Sequence, residues 1–400
     1  MVRTAVLACV LVALLALLAP AAGAAGPAGT ARALAAQMRW AGAASGALAV
    51  DLDSGVTIYS RRADTRRMPA SVQKLYTSVA ALRRFGPDGR LRTTVLAATP
   101  PDGAGVVRGD LYLRGGGDPA FGPVDARRLA RRVSAAGIER ITGSVRGDES
   151  VFDSRRGVPS SRFRPTSDVG PLSALTFNRG RTGLGSPYWQ RSPAIFAATA
   201  FAKQLRELGV KVRRGGATGV TPAAAVPVAE RPSAAVAELL RLMNPPSDNF
   251  IAETLIKALG ARFGTSGSTS AGARVVRQEL AALGVRAQVI DGSGLSRRDR
   301  TSPREVVTLL EAMHGDASFT SSLAVAGRTG TLTHRMRSSG AQDRCIAKTG
   351  TLHDVSALAG YCRSTAGADV AFAFLMNHVS PYDARLLQDR MAGALARYSP

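Results

Sequence analysis

The chain has 400 residues, 45% of them apolar and 20% charged, enough to bury a large core in two to three domains of about 150 residues each. Such a composition excludes a disordered tail or a fibrous repeat, and aromatics at 5% with 42 glycines and 21 prolines suit a globular fold of Ala, Val and Leu with many turns. The net charge of +23, from 52 basic against 29 acidic residues, suits an anionic partner such as nucleic acid, a lipid surface or a wall polymer, unless it reflects arginine drift alone. Only five lysines occur, Lys74, Lys203, Lys211, Lys257 and Lys348, so each one retained against the arginine bias is informative.

The N-terminus has Arg3, an apolar run over 5–18 and Ala22-x-Ala24, the pattern of a cleaved secretory signal at 1–24. The run is shorter than the about 20 residues a bilayer demands, and no transmembrane anchor is expected after processing. Cys9 falls inside it. A helix is expected over 30–40, then a hairpin over 47–51 and 56–59 around Asp53-Ser54-Gly55. A second helix starts at Pro69, with Val72, Leu75, Tyr76, Val79 and Leu82 at helical spacing. Short alternating runs at 92–97, 109–113 and 142–146, with a helix over 193–208, make 90–228 a separate mixed, mainly β module.

Helices over 233–243, 249–259 and 268–283 follow, then strands ending with 356–362 and 369–376, and a terminal helix over 382–398. The chain thus divides into a signal peptide at 1–24, one discontinuous domain from 25–89 and 229–400, and an inserted accessory domain at 90–228. The expected fold class is α/β (α+β). Two cysteines remain beyond the signal, Cys345 and Cys362, with their midpoint between His353 and Asp354. If the segments around Lys348 and Gly360 are the strands of one hairpin turning there, the two cysteines face each other. A disulfide closing the hairpin is the expectation, and two free buried thiols the alternative.

Three short motifs occur in order: Ser71-Val72-Gln73-Lys74, Ser247-Asp248-Asn249 and Lys348-Thr349-Gly350-Thr351. Each alone is weak. Positions i and i+3 of a helix share a face, so Ser71 Oγ and Lys74 Nζ can meet, near the positive end of the helix dipole. A serine hydroxyl attacks only when a neighbouring base takes its proton. Lys74 serves only when neutral, which burial or a second cation such as Lys348 promotes; arginine could not do this. Ser247 is expected to relay a proton to the leaving amine and the Asn249 amide to hold the substrate's peptide group. Lys348, Thr349 and Thr351 would line a strand edge fit for a terminal carboxylate, and the N–H groups of Ser71 and Thr351 could form an oxyanion hole.

Together the three motifs match the signature of penicillin-binding proteins and serine β-lactamases. The chain resembles the class C low-molecular-mass penicillin-binding proteins, the D-alanyl-D-alanine carboxypeptidase/endopeptidase family. Gly109-Asp110-Leu111-Tyr112-Leu113, Gly115-Gly116-Gly117-Asp118-Pro119, Gly147-Asp148-Glu149-Ser150-x-Phe152-Asp153 and the stretch from Asp291-Gly292-Ser293-Gly294 to Leu295-Ser296-Arg297 also look like that family. The gap of 176 residues between Ser71 and Ser247, against 101 between Ser247 and Lys348, leaves room for the family's inserted module. The resemblance implies a transpeptidase-like catalytic domain, a Ser71 acyl-enzyme acting on peptidoglycan stem peptides, acylation by β-lactam antibiotics and an extracytoplasmic location. It also implies that Leu295 and Arg297 border the substrate side-chain pocket and that Gly350 is part of the substrate-binding strand.

His314, His334, His353 and His378 lack metal-ligand spacing, and no H-E-x-x-H or G-x-S-x-G occurs, so no metal or other cofactor is expected. A serine β-lactamase is the nearest enzymatic alternative. It needs a second base, for which Glu253 is a remote candidate with a plainer reading as a solvated helix residue. A non-catalytic wall-binding or antibiotic-sensing protein would show a broken motif, and none is broken. Nucleic-acid binding is disfavoured by export and sparse aromatics; anionic wall polymers fit the charge better.

Overall fold

The computed structural model describes residues 25–183 and 185–400; the expected signal peptide and Cys9 lie outside them. Helix α1 (Pro27–Trp40) leads into the hairpin of β1 (Gly46–Asp51) and β2 (Thr57–Arg61). A single 3₁₀ turn, Ala70–Val72, then opens onto α2 (Gln73–Phe85). Every residue of α2 from Gln73 to Leu82 is buried, the mark of a helix enclosed on all sides.

The chain then builds a second sheet from β3 (Arg92–Ala97), β4 (Val106–Val107), β5 (Leu111–Arg114), β6 (Arg140–Asp148), β7 (Lys211–Thr218) and β8 (Val226–Pro232). It is mixed: β6 runs parallel to β4, β5 and β7, while β3 pairs antiparallel with β5 and β8. Because Pro232 of β8 lies opposite Arg92 of β3, this sheet runs past the boundary at 228 drawn from the sequence. Helices α3 (Pro123–Ala135) and α4 (Pro193–Glu207) cover the sheet through Leu129, Val133, Phe201 and Leu205. The sequence reading missed α3, although Gly122-Pro123 and the spacing of Ala126, Leu129, Ala130 and Val133 signal a helix.

Helices α5 (Val236–Met243), α6 (Asn249–Phe263), α7 (Thr269–Ala281) and α8 (Pro303–Met313) and the single turn α9 (Ala317–Thr320) follow. The second missed helix, α8, starts on a capping box of Ser302 and Glu305. The chain then returns to the first sheet with β9 (Ala324–Val325), β10 (Cys345–Leu352), β11 (Val355–Arg363) and β12 (Asp369–Asn377), and ends on α10 (Pro381–Leu395). That sheet is antiparallel throughout, in the order β2-β1-β12-β11-β10-β9.

Both faces of the first sheet are covered, so its central strands read as continuous apolar runs. Val370, Phe372, Phe374 and Met376 of β12 face α1 and α10, whereas Ala371, Ala373 and Leu375 join the core around α2 and α8. Alanine on that second face, repeated at Ala357 and Ala359 of β11, lets the helical layer come close to the sheet. The β10–β11 hairpin turns at His353-Asp354 and sets Cys345 opposite Cys362, and their sulfurs are bonded. Among the described residues no helix is long and apolar enough to cross a membrane.

Candidate active site

Three segments meet where α2 begins. Ser71 sits on the 3₁₀ turn and Lys74 in the first turn of α2, so both side chains leave the same face. Asn249 comes from the start of α6, whose N-cap Asp248 accepts the Ile251 N–H at 2.9 Å. The third segment is β10, which runs past the turn so closely that a methyl on Gly350 would sit 2.5 Å from the Pro69 carbonyl oxygen and 3.1 Å from Ser71 N. Glycine there lets strand and turn touch.

Lys74 is completely buried. Its Nζ lies 3.0 Å from Ser71 Oγ, 2.7 Å from Asn249 Oδ1 and 2.8 Å from the Ser293 carbonyl oxygen. A neutral amine has two N–H bonds and one lone pair; with Asn249 and Ser293 taking the N–H bonds, the lone pair is left for the Ser71 hydroxyl. Burial pulls the Lys74 ammonium down to about 7, against the attraction of Asp291 and Glu253. Desolvation therefore lowers Lys74, and Lys348, foreseen as a second cation, is not among the groups that shift it. Lys348, also fully buried, is held well below its usual value by its own burial and then by Lys74; its Nζ donates to the Thr349 carbonyl at 2.9 Å.

Ser247 occupies a left-handed backbone conformation (φ 62°), sparsely populated by non-glycine residues. Its hydroxyl has no hydrogen bond among the described residues. It lines a hollow of about 420 Å³ with Asp168, Arg179, Arg181, Trp189 and Asn249. Arg179 pairs with Asp248, so the 170–190 segment of the inserted module reaches the Ser247-Asp248-Asn249 loop.

Leu295 and Arg297 follow the loop whose Ser293 carbonyl meets Lys74, and neither lines the hollow at Ser247. Leu295 is half-buried against Val158, Val169, Leu172 and Phe250, and Phe250 also lines the hollow. Arg297 makes a bidentate pair with Asp354 at 2.6 and 3.0 Å, tying this loop to the β10–β11 turn and holding the Asp354 carboxyl low.

Several participants are invisible in the linear motifs. Thr331 Oγ1 accepts from Thr349 Oγ1 at 2.7 Å, and its N–H donates to the Pro245 carbonyl at 2.9 Å, joining the third motif to the second. Arg385 of α10 donates to Thr351 Oγ1 at 3.2 Å and brings a guanidinium to the strand edge. Glu253 is not a solvated helix residue: it is fully buried behind Lys74, because the α6 segment around it, Ile251, Ala252, Leu255 and Ile256, is apolar and enclosed.

The model of the D-Ala-D-Ala carboxypeptidase 3 (S13) family matches residues 30–186 and 188–398. The chain belongs to that family. This S13 chain is thus a class C low-molecular-mass penicillin-binding protein and a serine D-Ala-D-Ala carboxypeptidase. It is 31% identical to the D-alanyl-D-alanine carboxypeptidase of Actinomadura sp. (strain R39), over 90% of this chain and 82% of that one. It is 30% identical to carboxypeptidase DacB of Mycolicibacterium smegmatis, over 86% and 78%. The fold matches the crystal structure of penicillin binding protein 4 (dacB) from Haemophilus influenzae with a TM-score of 0.80 and 22% identity, covering 91% of this chain and 99% of that one. The same Haemophilus protein, complexed with a β-lactam, superposes with a TM-score of 0.72 and 21% identity, over 90% and 97%.

Proposed function

We propose that Ser71 is the nucleophile with which this carboxypeptidase cleaves the D-alanyl-D-alanine end, and the cross-bridge, of peptidoglycan stem peptides. The contact between Ser71 Oγ and the buried Lys74 Nζ carries this reading. Neutral Lys74 takes the hydroxyl proton as Ser71 Oγ attacks the scissile carbonyl. The oxyanion is stabilised by the N–H groups of Ser71 and Thr351, each worth about 3 kcal/mol in such sites. The C–N bond then breaks and the leaving amine receives its proton through Ser247, whose hydroxyl is otherwise unengaged. Water finally opens the ester. Asn249 holds the acyl-side amide, and Lys348, Thr349 and Thr351 line the strand edge for the terminal carboxylate, where the threonines offer hydroxyls and Arg385 positive charge. Leu295 and Arg297 border the pocket for the stem peptide's side chain.

A β-lactam presents the same carbonyl, but its leaving nitrogen stays tethered, so a slowly hydrolysed adduct remains; the β-lactam complex of the Haemophilus protein supports this part. The position of Glu253 argues against the β-lactamase alternative, since a carboxyl enclosed behind Lys74 is a poor base for deacylating water. With benzylpenicillin, intact mass is expected to show a lasting adduct that maps to Ser71 and is absent from Ser71→Ala. Rapid penicillin turnover with a fleeting adduct would move the assignment to β-lactamase, and no adduct at all to a silent wall-binding fold.

The charge supports an extracytoplasmic role in contact with anionic wall polymers, after export on residues 1–24. On the second sheet Arg140, Arg206, Lys211 and Arg213 line a hollow of about 570 Å³, and none of them is in an ion pair among the described residues. This hollow lies at the start of β6, the end away from Asp148, after which the chain runs toward α6 through the Asp153–Lys257 pair. Cosedimentation with purified wall is expected at low salt, falling as salt rises and weakened in a double variant with Lys211→Glu and Arg213→Glu. Absence of binding at low salt would refute this surface.

A further inference from the structure

Behind Lys74 lies a group of buried carboxyls that the acylation chemistry above leaves unused. Glu253 Oε1 accepts two backbone N–H groups, from Gly292 at 3.0 Å and Ser293 at 2.8 Å, while Oε2 has no partner among the described residues. Asp291 opens the same loop and takes the N–H groups of Gly294 and Ser296, both at 2.7 Å. Asp299 takes the Ile290 N–H at 2.7 Å, its Oδ2 has no partner among the described residues, and burial followed by the charge of Asp291 raises its carboxyl well above the usual range.

The front of this loop is fastened to α2. The Ser293 carbonyl meets Lys74 Nζ, the Gly292 carbonyl accepts from Thr77 Oγ1 at 2.8 Å, and the Asp291 carbonyl accepts from Gln73 Nε2 at 3.4 Å. Glu253 therefore grips from behind the peptide units whose carbonyls grip α2 from in front.

We propose that Glu253 is a positioning residue for acylation: it fixes the Ser293 carbonyl against Lys74 Nζ, and its own proton competes with that of Lys74 for the single charge the pocket tolerates. The inference rests on Lys74 being the base that activates Ser71. The charged groups facing Glu253 are Lys74 from α2, Asp291 and Asp299 from the 291–299 loop, and Lys257 one turn along α6, itself paired with Asp153. The buried residues of α5 and α7 carry no titratable group. Burial, and next the charge of Asp291, push Glu253 up to about 8, against the pull of Lys74.

Two coupled sites release their protons in macroscopic steps that belong to the pair. Loss of the first proton gives either neutral Lys74 beside neutral Glu253, which acylates, or the inactive ion pair. Loss of the second gives neutral Lys74 beside the Glu253 anion, which also acylates. The wild-type rate of acylation by benzylpenicillin is therefore expected to climb with pH over a broadened range, in two steps. In Glu253→Gln the amide oxygen still accepts both N–H groups but no ion pair can form. The climb should contract to one proton with its midpoint lowered by about half a pH unit.

Superimposable profiles for wild type and Glu253→Gln would overturn the inference and leave Glu253 structural. Should Glu253→Gln not fold, the wild-type profile alone decides: a simple one-proton rise overturns the proposal and a two-step rise supports it. Lys74→Arg separates the two levels. If that variant acylates at the wild-type rate, the base assignment itself is wrong; if it is inert while the Glu253→Gln and wild-type profiles coincide, only the coupling fails.

Discussion

Lys74→Arg is expected to cut the acylation of Ser71 by benzylpenicillin by about 10²- to 10⁴-fold, the usual contribution of a general base, while the protein stays folded. A guanidinium keeps the positive charge and can still donate to Asn249 Oδ1 and the Ser293 carbonyl, but it does not release a proton at any working pH. The hydrogen-bond contacts are thus nearly conserved, whereas the neutral, basic form is lost. The same logic fixes the wild-type pH dependence. Because burial lowers Lys74 to about 7, its neutral form accumulates as pH rises through that value, and the rate falls tenfold for each unit well below it. In Lys74→Arg the residual rate should lose this dependence. A variant rate within a few-fold of wild type, with the pH profile unchanged, would remove Lys74 from the role.

How the site is built explains which parts of it could be read from the chain. Ser71 and Lys74 are one helical turn apart, and Lys348, Thr349 and Thr351 share one strand, so their juxtaposition is a matter of local geometry. The register of β10 with β11 was also local, since a hairpin turning at His353-Asp354 fixes every pair, Cys345 with Cys362 included. Thr331 and Arg385 reach the site only through tertiary packing, and nothing near them in sequence sets them apart from other loop or surface residues, whereas Ser293 lies in the family-like stretch Asp291–Arg297 without any sign there that its carbonyl meets Lys74. Glu253 is intermediate. An acid inside Phe250-Ile251-Ala252-Glu253-Thr254-Leu255-Ile256 is an acid in a helix that is apolar almost all round, and such a helix belongs in the core. That pattern is legible in the chain and contradicts the plainer reading of Glu253 as a solvated helix residue. The helices α3 and α8 were missed for a different reason: short strands dominate the first region and glycine-rich turns surround the second, masking caps that are explicit in Gly122-Pro123-Val124-Asp125 and Ser302-Pro303-Arg304-Glu305.

Gly294→Ala is expected to cost about 3 kcal/mol of stability and to slow acylation of Ser71 about 100-fold or more, although residue 294 takes no part in the chemistry. Two costs combine. Gly294 has φ +84°, where a Cβ costs roughly 1 to 2 kcal/mol, and that Cβ would sit 1.9 Å from the Ala70 carbonyl oxygen, an overlap that only backbone movement relieves, at a typical 1 to 3 kcal/mol. Ala70 is itself left-handed (φ 48°) and immediately precedes Ser71; on the other side Gly350 of β10 presses on Pro69 and Ser71. The nucleophile's turn is thus clamped between two glycines and cannot retreat. A displacement of about 1 Å at a reacting atom is enough for a 10²-fold loss. Gly284→Ala supplies the control, because Gly284 has a similar φ of +75° but nothing within 4 Å of the added carbon. That variant should lose about 1 kcal/mol and acylate normally. If Gly294→Ala melts with Gly284→Ala and takes up penicillin at its rate, the clamp does not position Ser71, and the close approach of the Asp291–Ser296 loop to the turn serves packing alone.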